Sequence, residues 1–374
     1  MDEVSQEVAA GKQVDTIVLD FAKAFDKVDH ALLTHKLKRY GINGNMLSWI
    51  EGFLEERQQA VVVAGTKSSM RPVQSGVPQG SVLGPSLFLI YINDLPLSIN
   101  STTRLFADDT MLHKTISKSK DQESLQTDIE TLTTWEQKWN MQFHPDKCTN
   151  TSITRKRNTI TGNYNIHNHP LENVADTKYL GVTIQENLAW NKHIEQTCNK
   201  ANQTLGFLRR NLKIGNKKMK EISYKTLVRP ILEYASPVWD PHQTDQIQQL
   251  EKVQRRAARW ASHRFRQTSS VEDMLQDLAW PTLQQRRKQA RLETFYKYHN
   301  NLIHIQSKHA PAPSQSRHSR RQNNTQTYNI PQSTQEYRKS TFFPRTIPEW
   351  NHLPDSIVTA SSLDQFKSRL AATL

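Results

Sequence analysis

The sequence has few cysteines and no long apolar run. Cys148 and Cys198 are the only two cysteines among 374 residues, and they stand far apart. A disulfide framework or a zinc knuckle needs cysteines at close spacing, so the sequence supports neither. No apolar stretch approaches the ~18 residues of a membrane-spanning helix. The opening residues, MDEVSQEVAAGKQ, also lack the features of a secretory signal. Together these absences indicate a reducing compartment and no membrane span.

Charge is distributed unevenly along the chain, whose formal net charge is +13. Residues 1–187 contain 19 Lys and Arg against 22 Asp and Glu, whereas residues 188–374 contain 30 against 14. A half rich in carboxylates is therefore followed by a strongly basic half. Such asymmetry favours a polyanionic partner for the second half, although charge alone leaves an ordinary solvated surface open.

Residue patterns divide the chain in the same way. The run VDTIVLDFAKAF begins as a strand that ends at Asp20, and TRLFADDTMLHKT predicts two strands joined by a tight turn. A helix is predicted from about Asp121 to Trp139, and residues 188–305 are almost entirely helical in pattern. Residues 306–340 are polar and predict a flexible linker, followed by a small C-terminal segment over 341–374.

The stretch LFADDTMLH places two carboxylates, Asp108 and Asp109, within an apolar context. Burying a carboxylate without a partner is costly. If the strands are antiparallel neighbours, Asp20 and Asp108 meet at one edge and repel each other unless a cation lies between them. Mg²⁺ suits that position, because it takes oxygen ligands and accepts substrate phosphates. The alternative is an Asp-Asp turn that simply closes an exposed hairpin.

Four sequence blocks, in order, resemble those of the reverse transcriptases of non-LTR (LINE-type) retrotransposons, most closely the jockey-like group. They correspond to the family's motifs A, B, C and E and are LDFAKAFDKVDH (19–30), SGVPQGSVLGP (75–85), FADD (106–109) and YLGVTI (179–184). The resemblance covers nearly the whole chain. It implies an α+β fold with a right-hand polymerase palm, an antiparallel sheet with helices, over residues 1–187. An all-helical basic thumb would follow over residues 188–305.

The resemblance also implies an activity, RNA-directed DNA polymerisation. Deoxynucleoside triphosphates would be added to the 3′-hydroxyl of a DNA primer on an RNA template. Two Mg²⁺ ions, with Mn²⁺ as a substitute, would activate the hydroxyl and hold the leaving pyrophosphate. The implied location is intracellular, in cytoplasm and nucleus. A second hypothesis stays open: a catalytically inactive, nucleic-acid-binding remnant of a truncated element, since such a copy can keep its acidic residues intact.

Catalytic roles follow from the resemblance, residue by residue. Asp20 and Asp108 look like the principal metal ligands, Asp109 like a supporting acid, and the backbone carbonyl of Phe21 like a further metal contact. Lys147, in FHPDKCT, matches the position of motif D. A lysine there can donate a proton to the leaving pyrophosphate or stabilise its charge. The alternative is a solvated loop lysine.

Nucleotide and primer contacts are implied in the same way. Phe25 matches the aromatic residue under the incoming sugar, with core packing as its alternative, and Asp26 is predicted to cap the next helix. Gln79 and Gly80 are nucleotide-site candidates in a loop whose glycines allow close backbone approach, although Pro-Gln-Gly is also a common turn. The primer grip is assigned to Tyr179, Leu180 and Gly181.

The basic helices of the second half are predicted to hold the nucleic-acid backbone. Contacts to phosphate provide affinity without specificity for the nucleotide sequence, and they make that affinity strongly dependent on salt concentration. For any single residue a solvated helix face is the alternative. The residues assigned to this role are Arg209, Arg210, Lys213, Arg255, Arg256 and Arg259.

The start of the chain carries a separate expectation. Only 19 residues precede Asp20, and they contain a single lysine, Lys12. In the resembled family a fingers region stands before motif A, and an endonuclease lies further upstream. The sequence therefore predicts a fragment that binds primer and template through its basic helices but extends the primer poorly or not at all.

Overall fold

The computed structural model describes residues 1–212, 216–266, 268–303, 305, 310–314 and 324–373. It forms two compact units. The sheet unit comprises Gly11–Gly181 and Gln185–Asn187, and the helical unit comprises Met1–Ala10, Val182–Ile184 and Leu188–Leu374. Lys213 and two parts of the predicted linker, residues 306–309 and 315–323, lie outside the described residues. The functional division of the chain into palm, thumb, linker and tail stays a prediction.

The strands, in chain order, are β1 (Gln13–Leu19), β2 (Gln58–Gln59), β3 (Val62–Val63), β4 (Thr66–Lys67), β5 (Arg71–Pro72), β6 (Thr102–Phe106), β7 (Asp109–Ile116), β8 (Thr149–Ile153), β9 (Asn165–Ile166), β10 (His169–Pro170), β11 (Glu172–Asn173), β12 (Asp176–Tyr179) and β13 (Val182–Gln185). A five-stranded sheet has the order β11-β8-β1-β7-β6. Its neighbours are antiparallel except for β11 and β8. The last two strands, β12 and β13, lie where the chain passes from one unit to the other.

The helices of the sheet unit are α2 (His30–Arg39), α3 (Gly44–Leu54), α4 (Leu83–Ile92) and α5 (Ser119–Trp139). Those of the helical unit are α1 (Asp2–Ala9), α6 (Asn191–Asn211), α7 (Lys217–Ser223), α8 (Arg229–Glu233), α9 (Ser236–Trp239), α10 (Thr244–Ser262), α11 (Val271–Asp277), α12 (Leu283–His299), α13 (Glu336–Lys339), α14 (Phe342–Asn351), α15 (Asp355–Val358) and α16 (Leu363–Ala371). The predicted helix that ends at Trp139 is thus confirmed as α5. None of the described helices is long and apolar enough to cross a membrane.

The core of the sheet unit forms around the central strand β1. This strand is buried along almost its whole length because β7 and β8 flank it on both sides. Ile17 on β1 belongs to one apolar cluster with Leu112 of β7 and with Ile129 and Leu132 of α5. Packing of this cluster therefore fixes the position of the end of β1, and Asp20 is the next residue.

Helix α2 begins where Asp29 accepts a hydrogen bond from the Leu32 amide at 3.0 Å. The prediction that Asp26 caps this helix is therefore wrong. The Ala24–Asp26 segment forms a short turn of its own, and the capping position falls three residues after Asp26. Capping depends on where the first helical amides point, which the residue type alone does not decide.

A lysine is buried where α2 packs on its neighbours. The ammonium of Lys36 lies 3.6 Å from the ring centroid of Trp139 and donates to Asp94 Oδ1 at 2.6 Å. It also donates to the carbonyl of Tyr91. Burial lowers the pKa of Lys36 to about 8, against the opposing effect of Asp94. The aromatic rings and the carboxylate together hold this charge in the interior.

The helical unit has a buried ionic centre. Asp240, directly after α9, accepts hydrogen bonds from Arg287 and Arg291 of α12, and it forms an ion pair with Arg345 of α14. Apolar contacts continue this packing: Trp350 of α14 lies against Phe295 of α12. Helix α14 is thus packed on α12 by both ionic and apolar contacts.

Candidate active site

The predicted carboxylates lie at one end of the sheet. Strand β1 pairs antiparallel with β7 up to Leu19 opposite Thr110, so Asp20 follows at the level of Asp109. On the other side of β7, Phe106 of β6 pairs with Asp109 across a two-residue turn that contains Asp108. The predicted strand–turn–strand and its position beside β1 are confirmed. The metal-binding roles of the acids stay predictions.

These acids interact electrostatically. The pKa of Asp109 is raised, chiefly by burial and further by the negative charges of Asp108 and Asp20. A cation would relieve this repulsion, and carboxylate oxygens are ligands that Mg²⁺ prefers. Within the described ranges, no group of three or more His, Cys, Asp or Glu side chains converges closely enough to hold a metal ion. The donor chemistry therefore fits Mg²⁺, while a closed set of protein ligands is not formed.

Lys147 is brought to the same place. It ends the short turn Pro145–Lys147, and its Nζ lies 3.2 Å from Asp20 Oδ2. The backbone carbonyl of Asp20 accepts a hydrogen bond from the His144 amide at 2.8 Å, which ties this turn to the end of β1. The side chains are 60% and 34% exposed, so the ion pair is a weak one. A positive charge thus stands beside the acid predicted to bind a cation.

The two phenylalanines of motif A are held by packing. The ring of Phe21 is buried and stacks on Phe143 with centroids 4.2 Å apart. Phe25 stacks on Phe88 of α4 at 4.3 Å and is half-buried. Core packing, the alternative considered for Phe25, therefore accounts for one side of its ring. Neither the carbonyl role of Phe21 nor the sugar contact of Phe25 is tested.

The loop that contains Gln79 and Gly80 is fastened to Asp26. Gln79 is exposed, and its Nε2 donates to Asp26 Oδ1 at 3.0 Å. Gly76 packs so tightly that a Cβ there would lie 2.8 Å from the Asp26 backbone, and its φ of +84° also favours glycine. Gly80 has a φ of +81° and open space around it. The carboxylate of Asp26 thus positions the loop instead of capping a helix.

Two residues that hold this loop were not predicted from the sequence. Arg57 Nη2 donates to the Gly76 carbonyl at 2.6 Å, and His30 Nε2 donates to the same oxygen at 2.9 Å. Both stand many residues away along the chain, and no local pattern marks their shared contact. The loop borders an open cavity of ≈ 500 Å³ whose lining includes Arg57, Gln58, Gln59 and Gln79.

The residues assigned to the primer grip form a tight turn near the carboxylates. The hydroxyl of Tyr179 donates to the carbonyl of Arg104 on β6 at 3.4 Å. Burial raises the pKa of Tyr179, and the charge of Asp109 adds to that effect. Leu180 and Gly181 both have positive φ, at +47° and +77°. The primer contact itself stays a prediction.

The basic residues lie on helices that pack together. Arg209 and Arg210 are exposed at the end of α6, and Arg255 is exposed on α10. Helix α10 is tied to α6 by Arg256, whose Nη1 donates to Asn202 Oδ1 at 3.0 Å. The half-buried Arg259 donates to the Arg266 carbonyl at 3.2 Å. Contacts of these residues with phosphate stay predictions, and Lys213 lies outside the described part of the chain.

Three carboxylates and a lysine thus lie at one end of a mainly antiparallel sheet. Residues 5–184 match a family model described as "Reverse transcriptase (RNA-dependent DNA polymerase)". The resemblance predicted from the sequence is thus confirmed over these residues.

Among curated relatives, the "RNA-directed DNA polymerase from mobile element jockey" of Drosophila melanogaster is 31% identical over 59% of this chain and 25% of its own length. The "Probable RNA-directed DNA polymerase from transposon BS" of the same species is 27% identical over 66% of this chain and 28% of its own. The chain thus spans about a quarter of the length of these relatives. Among solved structures, apo telomerase from Candida tropicalis is 11% identical, with a TM-score of 0.41, over 70% of this chain and 44% of its own.

Proposed function

We propose that this chain carries the palm and the thumb of a reverse transcriptase from a jockey-like non-LTR element, and that it synthesises DNA on an RNA template. The observation that carries the proposal is the gathering of Asp20, Asp108 and Asp109 at one end of the sheet, with Lys147 at hydrogen-bonding distance from Asp20. The names of the curated relatives support the same activity. Such an enzyme would act inside the cell, in cytoplasm and nucleus.

The residues have distinct tasks in this proposal. When bound, two Mg²⁺ ions supply activation of the primer 3′-hydroxyl and neutralise the leaving pyrophosphate. Asp20 and Asp108 provide charged oxygen ligands, with Asp109 and the carbonyl of Phe21 in support. Lys147 is exposed and weakly paired, so it is free to turn from Asp20 to the pyrophosphate and donate a proton.

Substrate binding is divided among three parts of the chain. The loop with Gln79 and Gly80, held by Asp26, faces the incoming deoxynucleoside triphosphate beside Phe25. The turn Tyr179–Gly181 holds the end of the DNA primer. The RNA template and the duplex product are held through their phosphates by exposed arginines of α6 and α10.

Primer extension tests the proposal directly. A labelled DNA primer annealed to an RNA template is incubated with the full chain and deoxynucleotides, with and without Mg²⁺. We expect extension only with Mg²⁺ and a loss of at least about a hundredfold in Asp108→Asn, the size typical of removing one preorganised electrostatic group. Asp364→Asn, an exposed carboxylate of the helical unit, serves as the matched control and retains extension.

Metal binding gives a second measurement that does not depend on extension. Mn²⁺ titrated calorimetrically should bind the parent and Asp364→Asn alike, and bind Asp20→Asn and Asp108→Asn more weakly. Equal extension by parent and Asp108→Asn would overturn the catalytic assignment. Nucleic-acid binding with neither extension nor Mn²⁺ binding at the acids would favour the inactive remnant instead.

A further inference from the structure

A short hairpin of the sheet unit carries two histidines. Its strands β9 and β10 pair Ile166 with His169 across the turn His167–Asn168, whose residues have φ of +51° and +60°. Two central residues with positive φ are typical of the tight turns that close such hairpins. Gln126 of α5 donates to the Asn165 carbonyl at 3.1 Å and accepts from the Asn165 amide at 2.9 Å. The hairpin is therefore fastened to α5.

The first histidine contacts a buried carboxylate. Glu136 of α5 is 2% exposed, and its Oε2 lies 2.8 Å from His167 Nε2. Its other carboxylate oxygen accepts a hydrogen bond from the Phe143 amide. A buried carboxylate is costly unless it is paired, so these contacts favour each other. Glu136 thus connects the turn of the hairpin to the segment that leads to Lys147.

The second histidine contacts the turn that carries Lys147. His169 Nε2 lies 3.4 Å from Oδ1 of Asp146, the central residue of the turn Pro145–Lys147. The Lys147 amide donates to the His144 carbonyl at 2.9 Å, and the His144 amide donates to the Asp20 carbonyl at 2.8 Å. The turn is therefore bound both to the residue that follows β1 and to the hairpin.

The position of this turn matters for proton transfer. A displacement of about 1 Å in a reacting group can cost a hundredfold in rate. Lys147 is an exposed, flexible side chain, so the fixed position of its backbone limits where its ammonium can move. The side chains of His169 and Asp146 are also exposed, and exposed ion pairs contribute little to stability. Removing this pair should therefore release the turn without unfolding the chain.

We propose that His167 and His169 are positioning residues for Lys147. The hairpin holds the turn Pro145–Lys147 against the end of β1, so that the ammonium stays within reach of the leaving pyrophosphate. Neither histidine contacts substrate in this arrangement. The inference rests on the proposed function, in which Lys147 donates a proton to the pyrophosphate.

Single-turnover primer extension by the full chain, at one pH and over a range of deoxynucleotide concentrations, separates the maximal rate from nucleotide binding. His169→Ala should lower the maximal rate by about ten- to a hundredfold and leave the apparent nucleotide affinity as in the parent. His169→Gln keeps an N–H donor for Asp146 and should recover most of the rate. His35→Ala removes an exposed histidine of α2 and should extend like the parent.

A double variant distinguishes positioning of Lys147 from a general structural effect. In a chain that already carries Lys147→Ala, His169→Ala should cause no further loss of rate, because the group that it positions is gone. An equal loss with and without Lys147 would overturn the inference. A weaker apparent nucleotide affinity in His169→Ala at an unchanged maximal rate would also overturn it.

Hydrogen exchange gives a readout that does not depend on extension. The amides of residues 144–148 should exchange faster in His169→Ala than in the parent and in His35→Ala, whereas those of β1 and β7 should keep their protection. Unchanged exchange in residues 144–148 would overturn the role of the hairpin. Absence of extension by the parent would instead reject the proposed function.

Discussion

Removing the carboxylate at the centre of the helical unit should destabilise that unit strongly. The side chain of Asp240 is 2% exposed, and it accepts hydrogen bonds from Arg287 Nε at 2.7 Å and from Arg291 Nε at 2.8 Å. Arg345 Nη1 lies 3.3 Å away. Of the three guanidinium groups, Arg291 has a further carboxylate, Glu349, at 3.0 Å. Asp240→Asn keeps the shape of the side chain and removes the charge that balances the buried arginines.

The size of the destabilisation caused by Asp240→Asn follows from the burial of these charged groups. Breaking a buried ion pair by removing one partner costs about 3–5 kcal/mol, because an uncompensated charge stays in the interior. In a domain of this size, each kcal/mol corresponds to about 2–4 °C in melting temperature. Asp240→Asn should therefore lower the melting temperature of the helical unit by roughly 6–20 °C.

The assays are thermal denaturation of the full chain for the melting temperature and urea denaturation for the free energy of unfolding, with hydrogen exchange in α9 and α12 to localise the effect. Asp245→Asn removes an exposed carboxylate from α10 and should stay within about 0.5 kcal/mol of the parent. Adding Arg287→Met to Asp240→Asn removes a fully buried guanidinium and should recover part of the loss. Two results would contradict the proposed role of Asp240 in balancing the buried arginines. One is a loss in free energy of unfolding in Asp240→Asn no larger than that in Asp245→Asn. The other is strict additivity of the losses caused by Asp240→Asn and Arg287→Met.

Three further outcomes are expected. Neutralising Arg255, Arg256 and Arg259 together should weaken binding to RNA–DNA hybrids of every sequence, and it should flatten the salt dependence by up to ~0.9 log unit for each phosphate that the variant no longer binds; an effect on one sequence alone would contradict the phosphate role. Lys147→Ala should slow extension by about 10²–10⁴-fold as a proton donor is removed, whereas calorimetric Mn²⁺ affinity should not fall, since the Lys147–Asp20 ion pair competes with the metal; a weaker Mn²⁺ affinity would count against this. The pKa of Lys36 falls from 10.5 to about 8 on folding, so the folded chain binds this proton less tightly than the unfolded chain. Burial of the charged Lys36 therefore lowers the free energy of unfolding below pH 8, and this destabilisation fades as the pH rises toward 10.5. Lys36→Met should therefore remove a rise in the free energy of unfolding between these pH values, measured by urea denaturation, and an unchanged rise would refute the assignment.

Several features could be predicted from the sequence because they are local. The strand that ends at Asp20, the two strands around Asp108 and Asp109, and the helix that ends at Trp139 follow from hydrophobic periodicity and turn residues. The four ordered blocks indicated the family, and residues 5–184 match it. Lys147 was singled out by its position in one of the family's motifs.

Other features depended on tertiary packing. The contact between Asp26 and Gln79 joins residues 53 positions apart, and the sequence had assigned Asp26 to a helix cap that Asp29 provides. The hydrogen bond from Arg57 to the Gly76 carbonyl and that from Lys220 to His263 correspond to no periodic pattern in the sequence. Residue type and spacing fix which groups a chain offers and which segments become strands or helices. Which distant groups meet is decided only when the core has packed, because burial and partner geometry together determine whether a buried polar contact is favourable.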